Sequence, residues 1–271
     1  MKTKIPILAL VLASAAVSAT ADPFKISAKE QAELGQRAAG EVRKTEKVLP
    51  ATDPRSMYVS FVGEKLRALY LQDDSKEKNP KPFTYTFEVV ESKEVNAFAL
   101  PGGPTFIYTG LLEKLTTEDE LAGVMAHELT HAREEHFASD YAAAQRRGIG
   151  LAALLTILNA NQQVVNVASI TNDVVFGSKF SRRSENRADE GGYKLMVRAG
   201  YNPEGMVKLF ELLAKQGGSK PPEWMSTHPS DKNRITNIQK WIDRDKKKGV
   251  KFPELTKFDV KRGSRERLSD R

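Results

Sequence analysis

Thr117-Glu118-Asp119-Glu120-Leu121-Ala122-Gly123-Val124-Met125-Ala126-His127-Glu128-Leu129-Thr130-His131 is the stretch from which the rest of the chain can be read. Thr117 followed three residues on by Glu120 is a capping box, in which each side chain satisfies a free backbone N–H of a helix start. Leu121, Val124, Met125 and Leu129 then supply an apolar stripe at helical spacing, and the pattern runs on to about His136. Residues four apart share one helix face, about 6 Å apart along the axis. His127 and His131 therefore aim two imidazoles at one ion. Glu128 lies about 100° around from His127, which sets its carboxylate beside the ion, where a general base acting on a water belongs. The expected metal is zinc, one per chain, because imidazole and carboxylate ligands with an open position describe catalytic zinc sites.

The 271 residues include no cysteine and four histidines, His127, His131, His136 and His228. Disulfides, thiolate metal sites and cysteine nucleophiles are excluded, so any ligand is His, Asp or Glu. His136 is nine residues past His127, about 900° of rotation on a straight helix. That puts it on the opposite face, as a solvent-facing or supporting histidine rather than a ligand. A better third ligand is Glu185, four residues before Asp189 on a helical stretch. One of these carboxylates can bind the ion while the other accepts the N–H of a ligand histidine and fixes its tautomer. His228 sits in Thr227-His228-Pro229, a loop ahead of a helix. Two roles suit it there: donor to the oxyanion of peptide hydrolysis, or a reversible fourth ligand that keeps the resting site quiet.

Working outward, residues 54–71 carry apolar positions at helical spacing, and Phe83 to Val89 alternate as a strand does. Residues 95–100 and 105–109 read as short strands flanking the turn Pro101-Gly102-Gly103-Pro104. Beyond the motif, helices are predicted over residues 138–170, 183–198 and 203–215, with a last amphipathic one containing Ile235, Ile238, Trp241 and Ile242. The fold class is α+β, helix-rich with a small sheet. Residues 1–21 read as a signal peptide: Lys2 and Lys4, an apolar run, then Ala19-Thr20-Ala21. Its apolar run is shorter than the roughly 20 residues of a spanning helix, and no cysteine follows for lipidation. An exported protein, in the periplasm of a Gram-negative bacterium, is the expectation. Residues 22–243 then form the metallopeptidase domain and 244–271 a flexible tail with 11 basic and 5 acidic residues. Without residues 1–21, which hold Lys2 and Lys4, that tail carries the whole positive excess, so the net charge of +7 on the full chain does not indicate a nucleic-acid surface. A solvated tail is the first reading, and contact with anionic envelope surfaces the second.

Four ordered motifs between Val95 and Ile235 resemble the HtpX-like and BepA-like zinc metallopeptidases, a family that also includes the CAAX prenyl proteases. They are Asn96-Ala97-Phe98-Ala99-Leu100-Pro101-Gly102-Gly103 followed by Thr109-Gly110-Leu111-Leu112; the His127 to His131 stretch with a histidine five residues on; Ser181-Arg182 ahead of Glu185 and Asp189; and Ser226-Thr227-His228-Pro229 followed by Arg234-Ile235. The resemblance implies a gluzincin-type fold, zinc on His127, His131 and Glu185, and Glu128 as base. It also implies that Asn96, Ala97, Phe98 and Ala99 line the cleft, where an extended substrate adds as a strand. Unfolded or misfolded polypeptides are the implied substrates, in envelope and outer-membrane protein quality control.

The leading expectation is thus an endopeptidase acting on unfolded or misassembled envelope proteins. A holdase or assembly factor using the same groove with little hydrolysis is the alternative. A cell-wall metalloamidase shares the chemistry but not the Asn96 to Gly103 signature. Residues 141–180 match the family least; they read as a lid over the cleft or as a helical hairpin completing the core.

Overall fold

The computed structural model describes residues 24–146, 180–215, 222–228, 232–259 and 264–266. The segment read as a signal peptide and most of residues 141–180 lie outside them. The first helix, α1 (Ala28–Thr45), is closed at its start by a capping box, Ser27 and Glu30 bonding reciprocally. After it come α2 (Pro54–Asp74), β1 (Thr86–Val90), β2 (Ala97–Ala99), β3 (Pro104–Tyr108) and the short α3 (Thr109–Leu112). Asp53 caps α2 through the Arg55 N–H, with Pro54 in the first turn, where its missing N–H costs nothing.

The sheet order is β1-β3-β2. β1 pairs parallel with β3, Phe87 against Thr105, while β2 pairs antiparallel, Phe98 against Phe106. Every residue of the central strand β3 is buried. The two-residue alternation of strands explains how. Phe98, Phe106 and Tyr108 face α1, against Ala38, Ala39 and Val42, whereas Phe87, Val89 and Ile107 face the main core with Val62 and Leu66 of α2. The sheet is therefore covered on both faces.

α4 (Glu118–Arg133) is the axis of the domain, buried from Glu118 through Ala132. Its capping box forms as the sequence predicts, with the Glu120 N–H donating to Thr117 Oγ1 and the Thr117 N–H to Glu120 Oε2. Around it pack α6 (Arg182–Arg198) and α7 (Glu204–Lys215). α5 (His136–Arg146) follows α4 after a sharp turn. α6 comes close because Gly192 has no side chain; a Cβ there would stand 3.1 Å from the His127 backbone nitrogen. The remaining elements are α8 (Glu223–Thr227), α9 (Lys232–Lys247), and the hairpin β4 (Lys257–Asp259) and β5 (Ser264–Glu266).

Two expectations require correction. The active-site helix does not run unbroken to His136: it ends at Arg133, and Glu135 takes a left-handed φ of 56° before α5 begins. The segment expected to be a flexible tail from residue 244 is partly docked. α9 continues to Lys247, Phe258 stacks on Tyr58 with ring centres 4.1 Å apart, and the Thr256 N–H donates to buried Asp119 at 2.8 Å. Aromatic burial and satisfaction of a buried carboxylate outweigh the segment's charge.

Gly35 sits where α1 crosses the β2–β3 turn, and a Cβ there would fall on the Pro101 carbonyl oxygen. Gly35→Ala is expected to cost about 2 kcal/mol or more, since overpacking against backbone forces the helix outward. A thermal melt unchanged from wild type would show that α1 can move freely.

Candidate metal centre

α4 presents His127 and His131 one turn apart, and α6 presents Glu185 and Asp189 in the same way from the facing side. α6 begins where the Ser181 hydroxyl caps it through the Ser184 N–H, which places Glu185 in its first turn. The loop after α8 brings in His228. One donor atom from each of His127, His131, Glu185 and His228 lies within 4.8 Å of all the others, and all four residues are buried. Around this group the separations are 3.0 Å from His127 Nε2 to His131 Nε2 and 3.3 Å from His131 Nε2 to Glu185 Oε1. They continue at 3.0 Å from Glu185 Oε1 to His228 Nδ1 and 3.3 Å from His228 Nδ1 to His127 Nε2. A tetrahedral ion bonded at about 2.0–2.1 Å holds its ligand atoms about 3.3 Å apart. The residues present therefore fit a zinc-like cation in donor chemistry, and these four separations lie close to the spacing it requires, within a group that spans no more than 4.8 Å.

Glu128 stands outside this group. Its carboxylate accepts the Trp224 indole N–H at 2.9 Å on Oε1 and the Ala99 backbone N–H at 3.1 Å on Oε2. His228 Nε2 is 3.4 Å from Glu128 Oε1, and the Trp224 ring stacks on His228. β2 is thus the sheet edge next to the base. Tyr108 N–H donates to Asn96 O, and Leu100 N–H to Pro104 O. Strand alternation then turns the backbone groups of Asn96 and Phe98 toward β3 and those of Ala97 and Ala99 outward.

Asp189 lies with Oδ1 3.0 Å from His127 Nδ1, in the position of a tautomer-fixing partner. Arg234, in the motif after Thr227-His228-Pro229, takes a role that the sequence does not signal. Arg234 is buried on α9, its Nε and Nη2 each donating to Asp189 at 2.7 Å while Nη1 lies 2.7 Å from Glu185 Oε2. One guanidinium therefore neutralises both carboxylates of α6. Nothing in the spacing of Arg234 distinguishes it from a surface arginine on an amphipathic helix.

Burial works to raise the Glu185 pKa, but His228, His131 and Arg234 together hold it well below the ordinary carboxylate range. The same contest at Asp189 is won by Arg234, again lowering the pKa. Burial pushes the His131 pKa far down, keeping the imidazole neutral as a ligand must be. At His228 burial also lowers the pKa, but the Glu128 and Glu185 carboxylates outweigh it and the net shift is upward.

The profile of Peptidase family M48 matches residues 64–242, more than half of the chain, a range that includes His127, His131, Glu185 and His228. The chain belongs to peptidase family M48. Its M48 relatives include the "Mitochondrial metalloendopeptidase OMA1" of Schizosaccharomyces pombe, to which it is 31% identical over 201 residues, 73% of this chain and 56% of that protein. It is 28% identical over 208 residues to the Saccharomyces cerevisiae protein of that name, covering 73% of this chain and 59% of that one. It is also 29% identical over 166 residues to the "Beta-barrel assembly-enhancing protease" of Escherichia coli K12, covering 57% of this chain and 34% of that one. The chain thus spans little more than half of the yeast M48 relatives and about a third of the bacterial one. Among the described residues, no helix is long and apolar enough to cross a membrane.

Proposed function

We propose that this M48 chain is a zinc metalloendopeptidase that hydrolyses unfolded or misassembled polypeptides of the bacterial envelope. The observation that carries the reading is the buried His127, His131, Glu185 and His228 group with Glu128 held beside it by Trp224 and Ala99. When bound there, a divalent cation supplies Lewis-acid polarisation and lowers the pKa of a water. His127, His131 and Glu185 are its ligands, and Asp189 orients His127. Glu128 takes the proton of the attacking water at a carboxylate oxygen that the two N–H donors keep in place. Of the two roles open to His228, reversible occupation of the fourth place is supported by its Nδ1, 3.0 Å from Glu185 Oε1 and 3.3 Å from His127 Nε2. Departure of His228 then opens the site for substrate.

The Ala97 N–H is donated to Asn96 Oδ1 and the Ala99 N–H to Glu128, so it is the outward carbonyls of Ala97 and Ala99 that support substrate binding as an added strand, with Asn96 and Phe98 holding the edge in register from the sheet side. A chain already folded into a sheet has no free edge to offer, which selects for unfolded polypeptide. The name of the bacterial relative, a beta-barrel assembly-enhancing protease, supports β-barrel proteins as the substrate class, and the signal-like residues 1–21 support export to the periplasm, where such substrates are met. Contact between the basic residues of the 244–271 segment and anionic envelope surfaces is part of the same proposal.

Supplying the zinc-loaded protein with an outer-membrane barrel polypeptide, unfolded or folded in micelles, tests this. The unfolded form is expected to be cut at least about 10-fold faster, because cleavage tracks the exposed population. Equal rates would sink the added-strand reading. Tight binding of the unfolded chain without any cleavage would favour a holdase.

A further inference from the structure

His136 lies nine residues beyond His127, yet it does not point away from the metal centre. The chain leaves α4 at Glu134, turns through Glu135 at φ 56°, and starts α5 at His136. A left-handed conformation is uncommon for a residue with a side chain. Here two contacts from outside the turn hold it: Gln31 Nε2 donates to Glu135 Oε2 at 2.6 Å, and Lys81 Nζ lies 2.9 Å from Glu135 Oε1. Lys81 also donates to the Arg133 carbonyl at 2.7 Å. The turn swings His136 back over the end of α4. Its ring is buried, with Nδ1 3.1 Å from His131 Nδ1. On the far side, His136 Nε2 is 3.4 Å from Glu134 Oε2, and Glu134 is paired at 2.6 Å with Arg187 of α6.

We infer that His136 is a positioning residue for the metal ligand His131, fixing its tautomer and ring angle. The inference rests on the reading of His131 as a ligand. A ligand imidazole that presents Nε2 to the ion carries its proton on Nδ1, and that proton needs an acceptor. His136 accepts it at Nδ1 when its own proton is on Nε2, the side facing Glu134. The two ligand histidines are therefore supported differently: His127 by the carboxylate of Asp189, His131 by an imidazole backed by the Glu134–Arg187 pair. Because Arg187 sits two residues past Glu185, this chain of contacts also ties the third-ligand helix to the end of α4.

The test measures zinc dissociation constants by chelator competition for wild type and for His136→Phe, His136→Asn and His136→Gln. The melting temperature of each metal-free protein and the visible spectrum of each cobalt-substituted form are recorded alongside. His136→Phe is expected to bind zinc about 10–100-fold more weakly, the usual effect of losing a partner of a metal ligand. The Asn side-chain oxygen falls near the place of Nδ1, so His136→Asn is expected to recover affinity to within about threefold of wild type and a wild-type cobalt spectrum. The longer Gln amide reaches past that place and is expected to behave like Phe. Should His136→Phe fail to fold, the Asn and Gln pair decides, both being polar and able to fill the pocket. Wild-type affinity in His136→Phe, or equal affinity in the Asn and Gln proteins, would overturn the inference. A wild-type chain that takes up no zinc would instead remove the metal reading on which it rests.

Discussion

Glu128→Gln is expected to lower cleavage of unfolded polypeptide by about 10²–10⁴-fold, the range attached to loss of a general acid–base group. Zinc should remain bound at wild-type stoichiometry. The replacement is nearly isosteric, and Glu128 lies outside the four-residue donor group, so neither ligand geometry nor fold has reason to change. What is lost is specific. A carboxylate accepts from Trp224 and Ala99 together and can still take a proton. An amide has one acceptor oxygen, turns an N–H toward one of those two donors, and takes no proton. Peptide-cleavage kinetics with metal analysis on the same sample check this. Undiminished kcat/KM would remove Glu128 as base, and loss of zinc would show that it acts on the ion instead.

The second large effect is on stability. Arg234→Leu is expected to cost the metal-free protein about 3–5 kcal/mol, because removing one partner strands buried charge. Asp189 and Glu185 would both lose their cation in a site from which water is excluded. For a domain of this size that corresponds to a drop of about 6–20 °C in melting temperature. Zinc should narrow the gap, since the ion gives Glu185 another positive partner, while Asp189 stays uncompensated. Arg234→Lys is expected to fall between, as a point charge cannot reproduce the two-pronged contact with Asp189. Melting curves with and without zinc decide the matter. A shift below about 1 kcal/mol would mean that the carboxylates find protons or water at little cost.

Much of the site was legible because helical spacing turns residue identity into geometry. The capping box at Thr117 set where α4 starts, which fixed His127 and His131 on one face and Glu128 beside them. The four-residue spacing of Glu185 and Asp189 worked in the same way on α6. His136 was misplaced because nothing local announces the break: neither glycine nor proline occupies positions 134 or 135, and the left-handed turn is stabilised by Gln31 and Lys81, far away in sequence. Arg234 was passed over because its burial depends on two carboxylates contributed by another helix. The first helix was overlooked despite a local signal, Ser27 and Glu30 at capping-box spacing. The parallel pairing of β1 with β3 left no trace in the strands themselves; it depends on cover from α1 and α2 on opposite faces. The docking of Phe258 rests on one aromatic residue in a charged segment, too little for a pattern.

The donor residues are scattered along the chain: 43 residues separate Glu185 from His228, and 101 separate His127 from His228. In a protein without cysteine, a bound ion joining them is a reversible cross-link that closes long loops much as a disulfide does. At a free zinc concentration about 1,000 times the dissociation constant, such a stitch adds about 4 kcal/mol to stability. On the proposed zinc reading, the lifetime of the protein is expected to follow the metal supply of its compartment. Without zinc, the helices that carry its ligands lose that stitch, and the chain around them loosens.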